Sequence, residues 1–332
     1  MKNILIIQTA FLGDVILSTP LIEKLHHAYP ECNIDFLLRK GNENLLTGHP
    51  NIRNLYVLDK KNHKVRSVIR MIRKLRKVKY DRVINLQRFF TTGVITLFAK
   101  ADKKAGFKKN PLSVFYNRKV SHEIGNGEHE ISRNLKVIDD LVDGTLIRPS
   151  LYPTEDEYRF VQPYKAEPYI CIAPTSVWHT KQFPPEKWLD FLKKLSGSYK
   201  VYLLGSPDDY AACQNIAEQS DHNGITNLAG ALTLKQTAAL MEDARMNYVN
   251  DSAPLHIASA MNAPVTAIFC STVPRFGFYP VSDNSKIVET TIDLDCRPCG
   301  LHGYNACPLG HFKCAYSIND EQLFSGLSQE KE

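Results

Sequence analysis

Asp14 follows a glycine just beyond a short apolar run, and a lone carboxylate in such a loop suits a general base. The loop has neither a G-x-G-x-x-G fingerprint nor a P-loop lysine, which argues against a dinucleotide or Walker-type phosphate cradle. An acid beside a helix start can equally serve as a cap, so the loop alone leaves both roles open. A second group lies in APTSVWHTKQFPPEKW, where Thr175, Ser176 and Lys181 stand between a strand and a helix. Hydroxyls, loop amides and one lysine suit a diphosphate, with Lys181 opposing the charge on a departing group. Out of context the same segment reads as an ordinary loop with a surface lysine. In GSPDD, Asp208 is placed to accept hydrogen bonds from ribose hydroxyls, or merely to favour the first turn of the next helix. In YVNDSAPLHIASAMNAPVTAIF, Ser252 can cap a helix of small residues and leave its amides free for an anion. Asp251 and His256 are polar groups in that otherwise apolar unit, and His256 fits a structural histidine as well as a ligand contact.

Apolar patterning supplies the elements that must position these residues. Residues 4–7 are an unbroken apolar run, as expected of a parallel strand covered on both faces. Val15, Ile16, Leu21, Ile22 and Leu25 then recur at helical spacing, with Pro20 tolerated only in a first turn. Asp14 therefore falls at the carboxyl end of the first strand, where open α/β sheets bind ligands. Strand patterns follow at 34–38, 55–58 and 82–86, the last running into Gln87, with helical patterns at 93–99 and 130–141. Residues 152–168 carry three prolines and many charges and read as a junction. A second series has strands at 169–174, 200–205, 246–250 and 265–270, and helices at 185–195, 210–220, 233–243 and 255–261. This alternation in two blocks predicts two doubly wound, Rossmann-like α/β domains facing across a cleft, residues 1–155 and 156–332.

Composition agrees with that reading. A chain of 332 residues, 43% hydrophobic and 23% charged, has the length and balance of a two-domain globular protein. No apolar run approaches the ~20 residues of a spanning helix, and the first is too short for a signal peptide. A cytoplasmic location is the resulting expectation. The net charge of +6 conceals an asymmetry. Residues 1–150 hold 27 Lys and Arg against 14 Asp and Glu, and the remainder holds 14 against 21. Much of the excess lies between Lys60 and Lys79, where Val65, Val68, Ile69, Ile72 and Leu75 interleave at helical spacing. Such a basic amphipathic helix is either a solvated outer face or a surface attracted to membrane headgroups or an anionic substrate. No recognised nucleic-acid module accompanies the charge, so nucleic acid is not an expected partner.

Taken in order, ILIIQTAFLGDVILSTPLI, YDRVINLQ, the APTS…TK…P…W loop, GALTLKQTAALMEDA and NDSAPLHIASAMNAPVTAIF make the chain resemble a known family. It is similar over nearly its whole length to the ADP-heptose:lipopolysaccharide heptosyltransferases of glycosyltransferase family 9. The resemblance implies a GT-B fold, an acceptor-binding amino-terminal domain, a nucleotide-sugar-binding carboxy-terminal domain, and inverting transfer without a metal. It places the catalytic base at Asp14, donor phosphate contacts at Ser176 and Lys181, a backbone contact to adenine near Leu232, and Asp251 close to the donor sugar. Thr175, Asp208, Ser252 and His256 complete the expected donor side, and Gly13, Gln87 and His129 the acceptor side. The chain departs from the family pattern in having Ala253-Pro254 after Asp251-Ser252, and Cys270-Ser271-Thr272-Val273-Pro274 where the family has G-P-T-x-P.

The expected activity is transfer of heptose from ADP-heptose to the inner core of lipopolysaccharide at the inner membrane's cytoplasmic face, with no cofactor required. Another nucleotide sugar handled on the same fold, or a non-catalytic nucleotide- or lipid-binding relative, are the alternatives. Asp14 together with Lys181 argues against a pure binder, which needs no base opposite its phosphate site. Four of the eight cysteines, Cys296, Cys299, Cys307 and Cys314, lie with His302 and His311 in a short tail. Their spacing is zinc-like in type, but the second pair is not a tight C-x2-C, and reduced thiols are the preferred reading over a structural zinc.

Overall fold

The computed structural model describes residues 1–60, 64–195 and 197–327; Lys61 of the basic run and the last five residues lie outside them. The chain forms two compact units, one of Met1–Ile124 with Glu128–Tyr152, the other of Gly125–Gly127 with Pro153–Glu332.

In the first unit, six parallel strands lie in the order β3-β2-β1-β4-β5-β6. They are β1 (Asn3–Ile7), β2 (Asn33–Arg39), β3 (Asn54–Leu58), β4 (Tyr80–Asn85), β5 (Ala101–Phe107) and β6 (Arg118–Val120). The run at 4–7 is fully buried and paired on both sides, Ile4 opposite Ile34 and Arg82, which is why it carries no polar residue. The helices are α1 (Leu12–Ile16), α2 (Thr19–Ala28), α3 (Glu43–Leu46), α4 (Lys64–Leu75), α5 (Phe90–Phe98) and α6 (Glu130–Leu135). The expected first helix is thus two, broken at Leu17-Ser18, with Pro20 in the first turn of α2 where its missing N–H is harmless. The helix expected over 130–141 ends at Leu135 and continues as turns. On α4, Met71 and Leu75 are buried and Val68 and Ile72 pack against the same core, but Val65 and Ile69 are exposed.

The second unit repeats the topology, in the order β12-β11-β10-β7-β8-β9. Its strands are β7 (Tyr169–Ala173), β8 (Lys200–Leu203), β9 (Ile225–Asn227), β10 (Met246–Asn250), β11 (Val265–Phe269) and β12 (Ser285–Glu289), all parallel. The helices are α7 (Glu155–Val161), α8 (Pro185–Lys194), α9 (Tyr210–Gln219), α10 (Leu234–Glu242), α11 (Ala253–Ala260), α12 (Lys313–Tyr316) and α13 (Asp320–Phe324). The segment that reads as a junction contains α7. Thr154 and Glu157 close a capping box at its start, and three acids fill its first turn. Tyr158 donates to Glu242 at 2.7 Å and Lys235 meets Glu157 at 3.2 Å, fastening α7 to α10. The core is aromatic: buried Trp188 packs edge-on to Phe183 at 5.1 Å between centroids, and Phe191 lies 4.7 Å from Tyr248.

Candidate active site

In the first sheet the direction of winding reverses between β1 and β4. The loops leaving those strands diverge there and open the crevice in which α/β sheets hold ligands. The loop after β1 leads into α1, whose first turn contains Gly13 and Asp14. Burial raises the Asp14 carboxyl from 3.8 to about 6, and the negative charge of Glu130 adds to the effect. Amides of Phe11 and Asp14 itself, and the charge of His122, pull in the opposite direction without prevailing. The carboxylate thus meets the amides of Phe11 and Asp14 at the start of α1 and still ionises near neutrality.

Glu130 owes its place to α6. His129 is the N-cap of that helix, its Nδ1 accepting the Ile131 amide at 3.2 Å, so this buried side chain helps set the neighbour that tunes Asp14. Glu130 receives His122 Nε2 at 3.0 Å on both carboxylate oxygens and Arg133 Nε at 2.7 Å. Against the cost of burial, those partners hold Glu130 below the usual carboxylate range. It stays ionised and opposes ionisation of Asp14. After β4, buried Gln87 donates through its side-chain amide to Gln8 and through its backbone to Asn85 Oδ1 at 2.9 Å. Gln87 Oε1 and Thr9 Oγ1 are buried without a hydrogen-bond partner among the described residues. Two such polar atoms at one sheet edge are satisfied most readily by a polar ligand.

The second sheet reverses between β7 and β10; Thr175, Ser176 and Lys181 follow the first of those strands and Asp251, Ser252 and His256 the second, whereas Asp208 follows β8 and Leu232 follows β9. The loop after β7 is fixed by Asn250 at the end of β10. Its Nδ2 donates to Pro174 O at 2.8 Å and its Oδ1 accepts the Phe183 amide at 2.9 Å. Ser176 O accepts Gln182 Nε2 at 2.6 Å, and Thr175 and Ser176 are partly exposed. Lys181 closes a short 3-10 turn, where Nζ meets Asp251 Oδ2 at 2.7 Å; Thr272 donates to the same oxygen, also at 2.7 Å. The fold thus joins two residues that lie 70 positions apart in sequence, with Asp251 the ion-pair partner of Lys181.

Ser252 departs from expectation. It occupies the N-cap position of α11, but its side chain makes no cap bond and donates instead to Asn250 O at 3.4 Å. His256 is buried within α11. Of the two acids after β8, Asp209 is committed to the turn by bonds from Ser206, whereas Asp208 is exposed. Gly230 brings Leu232 to the same end of the sheet. Its amide donates to Gly205 O at 2.9 Å, and its φ of +76° leaves no room for a Cβ, which would sit 2.9 Å from Pro207.

Sequence patterning missed His122 and Glu130, whose charges act on Asp14, with Arg133 holding Glu130, and Thr272, which shares Asp251 with Lys181. Thr180 Oγ1 lies 3.0 Å from Ser271 Oγ and accepts the Tyr304 amide at 2.8 Å, which seats the cysteine-rich tail on the loop after β7. A Glu and an Arg three apart at 130 and 133 were the available signal for a buried ion pair, but nothing local pointed from them to Asp14. All eight cysteines are free, and the four in the tail line a cavity of about 240 Å³ with His311. Among the described residues no group of three or more His, Cys, Asp or Glu side chains is arranged to hold a metal ion, so the zinc alternative finds no support.

Two parallel α/β sheets of one topology, a near-neutral carboxyl at one switch point and a cation at the other, make the frame of a two-domain group-transfer enzyme. The model of glycosyltransferase family 9 (heptosyltransferase) matches residues 68–302. Lipopolysaccharide heptosyltransferase 3 of Escherichia coli is 29% identical over 289 residues, covering 82% of this chain and 85% of its own. A family 9 glycosyltransferase from Veillonella parvula superposes with a TM-score of 0.85 at 22% identity, over 98% of this chain and 96% of that one. The E. coli ADP-heptose lipopolysaccharide heptosyltransferase II gives 0.79 at 21% identity, over 98% and 97%. The chain belongs to glycosyltransferase family 9; it is a glycosyltransferase with the GT-B fold.

Proposed function

We propose that this enzyme transfers heptose from ADP-heptose to a sugar of the lipopolysaccharide inner core, Kdo or heptose, with inversion at the anomeric carbon. The first unit takes the acceptor and the second the nucleotide sugar. Asp14 removes the proton from the acceptor hydroxyl as that oxygen attacks, the anomeric C–O bond breaks, and ADP departs with the bonding pair. Lys181 and the loop amides around Ser176 stabilise the diphosphate, Asp208 the ribose, and the backbone near Leu232 the adenine. Gly13 and Gln87 border the acceptor. Because Lys181 is matched by Asp251 beforehand, the arriving diphosphate exchanges one anionic partner for another at that nitrogen. The names of the matched relatives support the donor and the acceptor class, and the family supports the reaction type.

The observation that carries this reading is the placement of Asp14 after β1 and of the Lys181–Asp251 pair, 2.7 Å apart, after β7 and β10, each at the switch point of its sheet; burial that raises the Asp14 carboxyl to about 6 suits a base working near neutral pH. Among the described residues no helix is long and apolar enough to cross a membrane, and we place the enzyme in the cytoplasm, in peripheral contact with the inner membrane. The test is a donor screen with a truncated lipid acceptor, reading released nucleotide. Release from ADP-heptose that depends on acceptor and is abolished by Asp14→Asn is expected. A preference for another nucleotide sugar, or near-normal turnover of Asp14→Asn, would overturn it.

A further inference from the structure

The helix α5, FTTGVITLF, is inside out. Its buried face is small and partly polar, with Thr92, Gly93, Ile95 and Thr96 fully covered. The threonine hydroxyls are satisfied within the helix, Thr92 donating to Phe89 O and Thr96 to Thr92 O, each at 2.8 Å. Large apolar residues occupy the other face: Phe90 is 59% and Phe98 50% exposed, and Val94 and Leu97 are half-buried between them. Positions 90, 94, 97 and 98 make one stripe, where a water-facing helix would carry charges. Either side of α5 extends the feature. Residues 110–115 pack on its start, Asn110 donating to Phe89 O at 3.1 Å, and they present Val114 and Phe115 to solvent. At its other end Arg76 donates to Phe98 O at 3.1 Å, so the end of α5 meets the basic segment that follows α4.

On α4 the exposed apolar side chains are Val65 and Ile69, on the flank shared with Arg76, while Arg66, Arg70, Arg73 and Lys77 project beside them. Between Asp59 and Asp81 the chain has ten Lys and Arg and no carboxylate. Exposed aromatic and aliphatic side chains flanked by the exposed Arg66, Arg70, Arg73 and Lys77 complement an anionic lipid surface. The apolar groups enter the acyl boundary and the cations meet headgroup phosphates. A folded partner with an acidic surface would use the charges but leave the α5 stripe wet.

We infer that α4, α5 and the 110–115 loop form the face by which this enzyme sits on an anionic bilayer. The inference deepens the proposed membrane contact and stands on the first unit alone. Phe89 and Phe90 follow Gln87 after the single residue Arg88, so the bilayer would lie beside the sheet edge that carries Asp14, where a lipid-borne acceptor sugar emerges.

The whole protein is tested by flotation with vesicles of equimolar phosphatidylcholine and phosphatidylglycerol, against pure phosphatidylcholine, without acceptor or donor. Binding to the mixed vesicles alone is expected. R66E/R70E/R73E should lower it by about fivefold or more per charge, and F90S/F98S by at least about tenfold. Phe160→Ser, which removes an equally exposed phenylalanine from the second unit, should change nothing. Phe98→Trp supplies an independent reading, because the fluorescence of the introduced indole should be quenched by brominated acyl chains. Vesicle binding insensitive to F90S/F98S, an equal loss with Phe160→Ser, or an absence of quenching in Phe98→Trp would overturn the inference. Transfer to a soluble acceptor fragment separates it from the catalytic proposal. Loss of vesicle binding with that transfer retained supports the docking face, whereas absent transfer with binding intact overturns only the reaction.

Discussion

In the amino-terminal unit the loop after β1 holds a carboxyl that burial and Glu130 make reluctant to ionise. In the carboxy-terminal unit the loop after β7 holds a lysine that Asp251 already satisfies at 2.7 Å. The strand order is the same, and so is the switch point from which each loop departs. The sheet therefore decides where a ligand can lie, but not what the site does to it. A group left electrostatically unsatisfied is poised to take a proton, because protonation relieves its environment. A group held in a satisfied pair is poised to bind, because its charge is aimed and its desolvation is already offset before the anion arrives.

Removing the unsatisfied group should have the largest effect. Asp14→Ala is expected to lower kcat by about 10²–10⁴-fold, with ADP affinity unchanged in calorimetry because the proposed nucleotide site lies in the other unit. Asp14→Asn should be as inactive yet more stable. A folded-state value near 6 against an ordinary 3.8 means the folded protein binds this proton more tightly. The contribution of Asp14 to stability therefore falls as pH rises from about 4 to about 6 and remains unfavourable above. The gain in Asp14→Asn should reach no more than about 3 kcal/mol at pH 7 and vanish below pH 4, measured by denaturant unfolding at both values. No pH dependence in that difference would remove the contrast between the two edges.

Next in size is the satisfied pair. Lys181→Ala should weaken ADP binding and slow transfer by about 10²-fold or more. It also strands a largely buried Asp251, so it should lose stability that Lys181→Ala with Asp251→Asn partly recovers, without recovering ADP affinity. If the single and double variants are equally stable, the pair is not what organises this loop.

The pH profile offers a finer test. The rate should rise with pH through an ionisation near 6, since Asp14 must be deprotonated to accept a proton. Glu130→Gln should move that ionisation downward, because a neighbouring negative charge is lost. A purely structural role for Glu130 would lower the amount of folded enzyme without moving the profile. The smallest effect concerns salt. Exposed charges are screened over roughly 8 Å at physiological ionic strength, so acceptor KM should climb with salt more than ADP affinity falls. Equal sensitivity of both would mean that the excess of 27 Lys and Arg over 14 Asp and Glu in residues 1–150 does not serve the acceptor.

The central strands were legible where burial on both faces leaves an unbroken apolar run, as at 4–7 and 169–173. Three outer strands were not. β5 begins Ala-Asp-Lys-Lys, polar and partly exposed, and β6 and β9, each at a sheet edge, are three residues each, so periodicity has nothing to register. The helix α7 inside the segment at 152–168 was not legible, because the prolines flank it and its charges, which are the first-turn acids of a capped helix, read as those of a linker.

Local chemistry thus determined on its own the fold class, the repeated βα grammar, and the loops in which Asp14, Lys181 and Asp251 stand. Each follows from patterns spanning fewer than about twenty residues, within which apolar spacing and turn residues act. The electrostatic state of those residues was decided only by tertiary structure. Glu130 reaches Asp14 from 116 residues away and Asp251 reaches Lys181 from 70, and the inverted face of α5 is apparent only once its neighbours are in place. Burial and the distance between charges are properties of packing, and no local pattern encodes them.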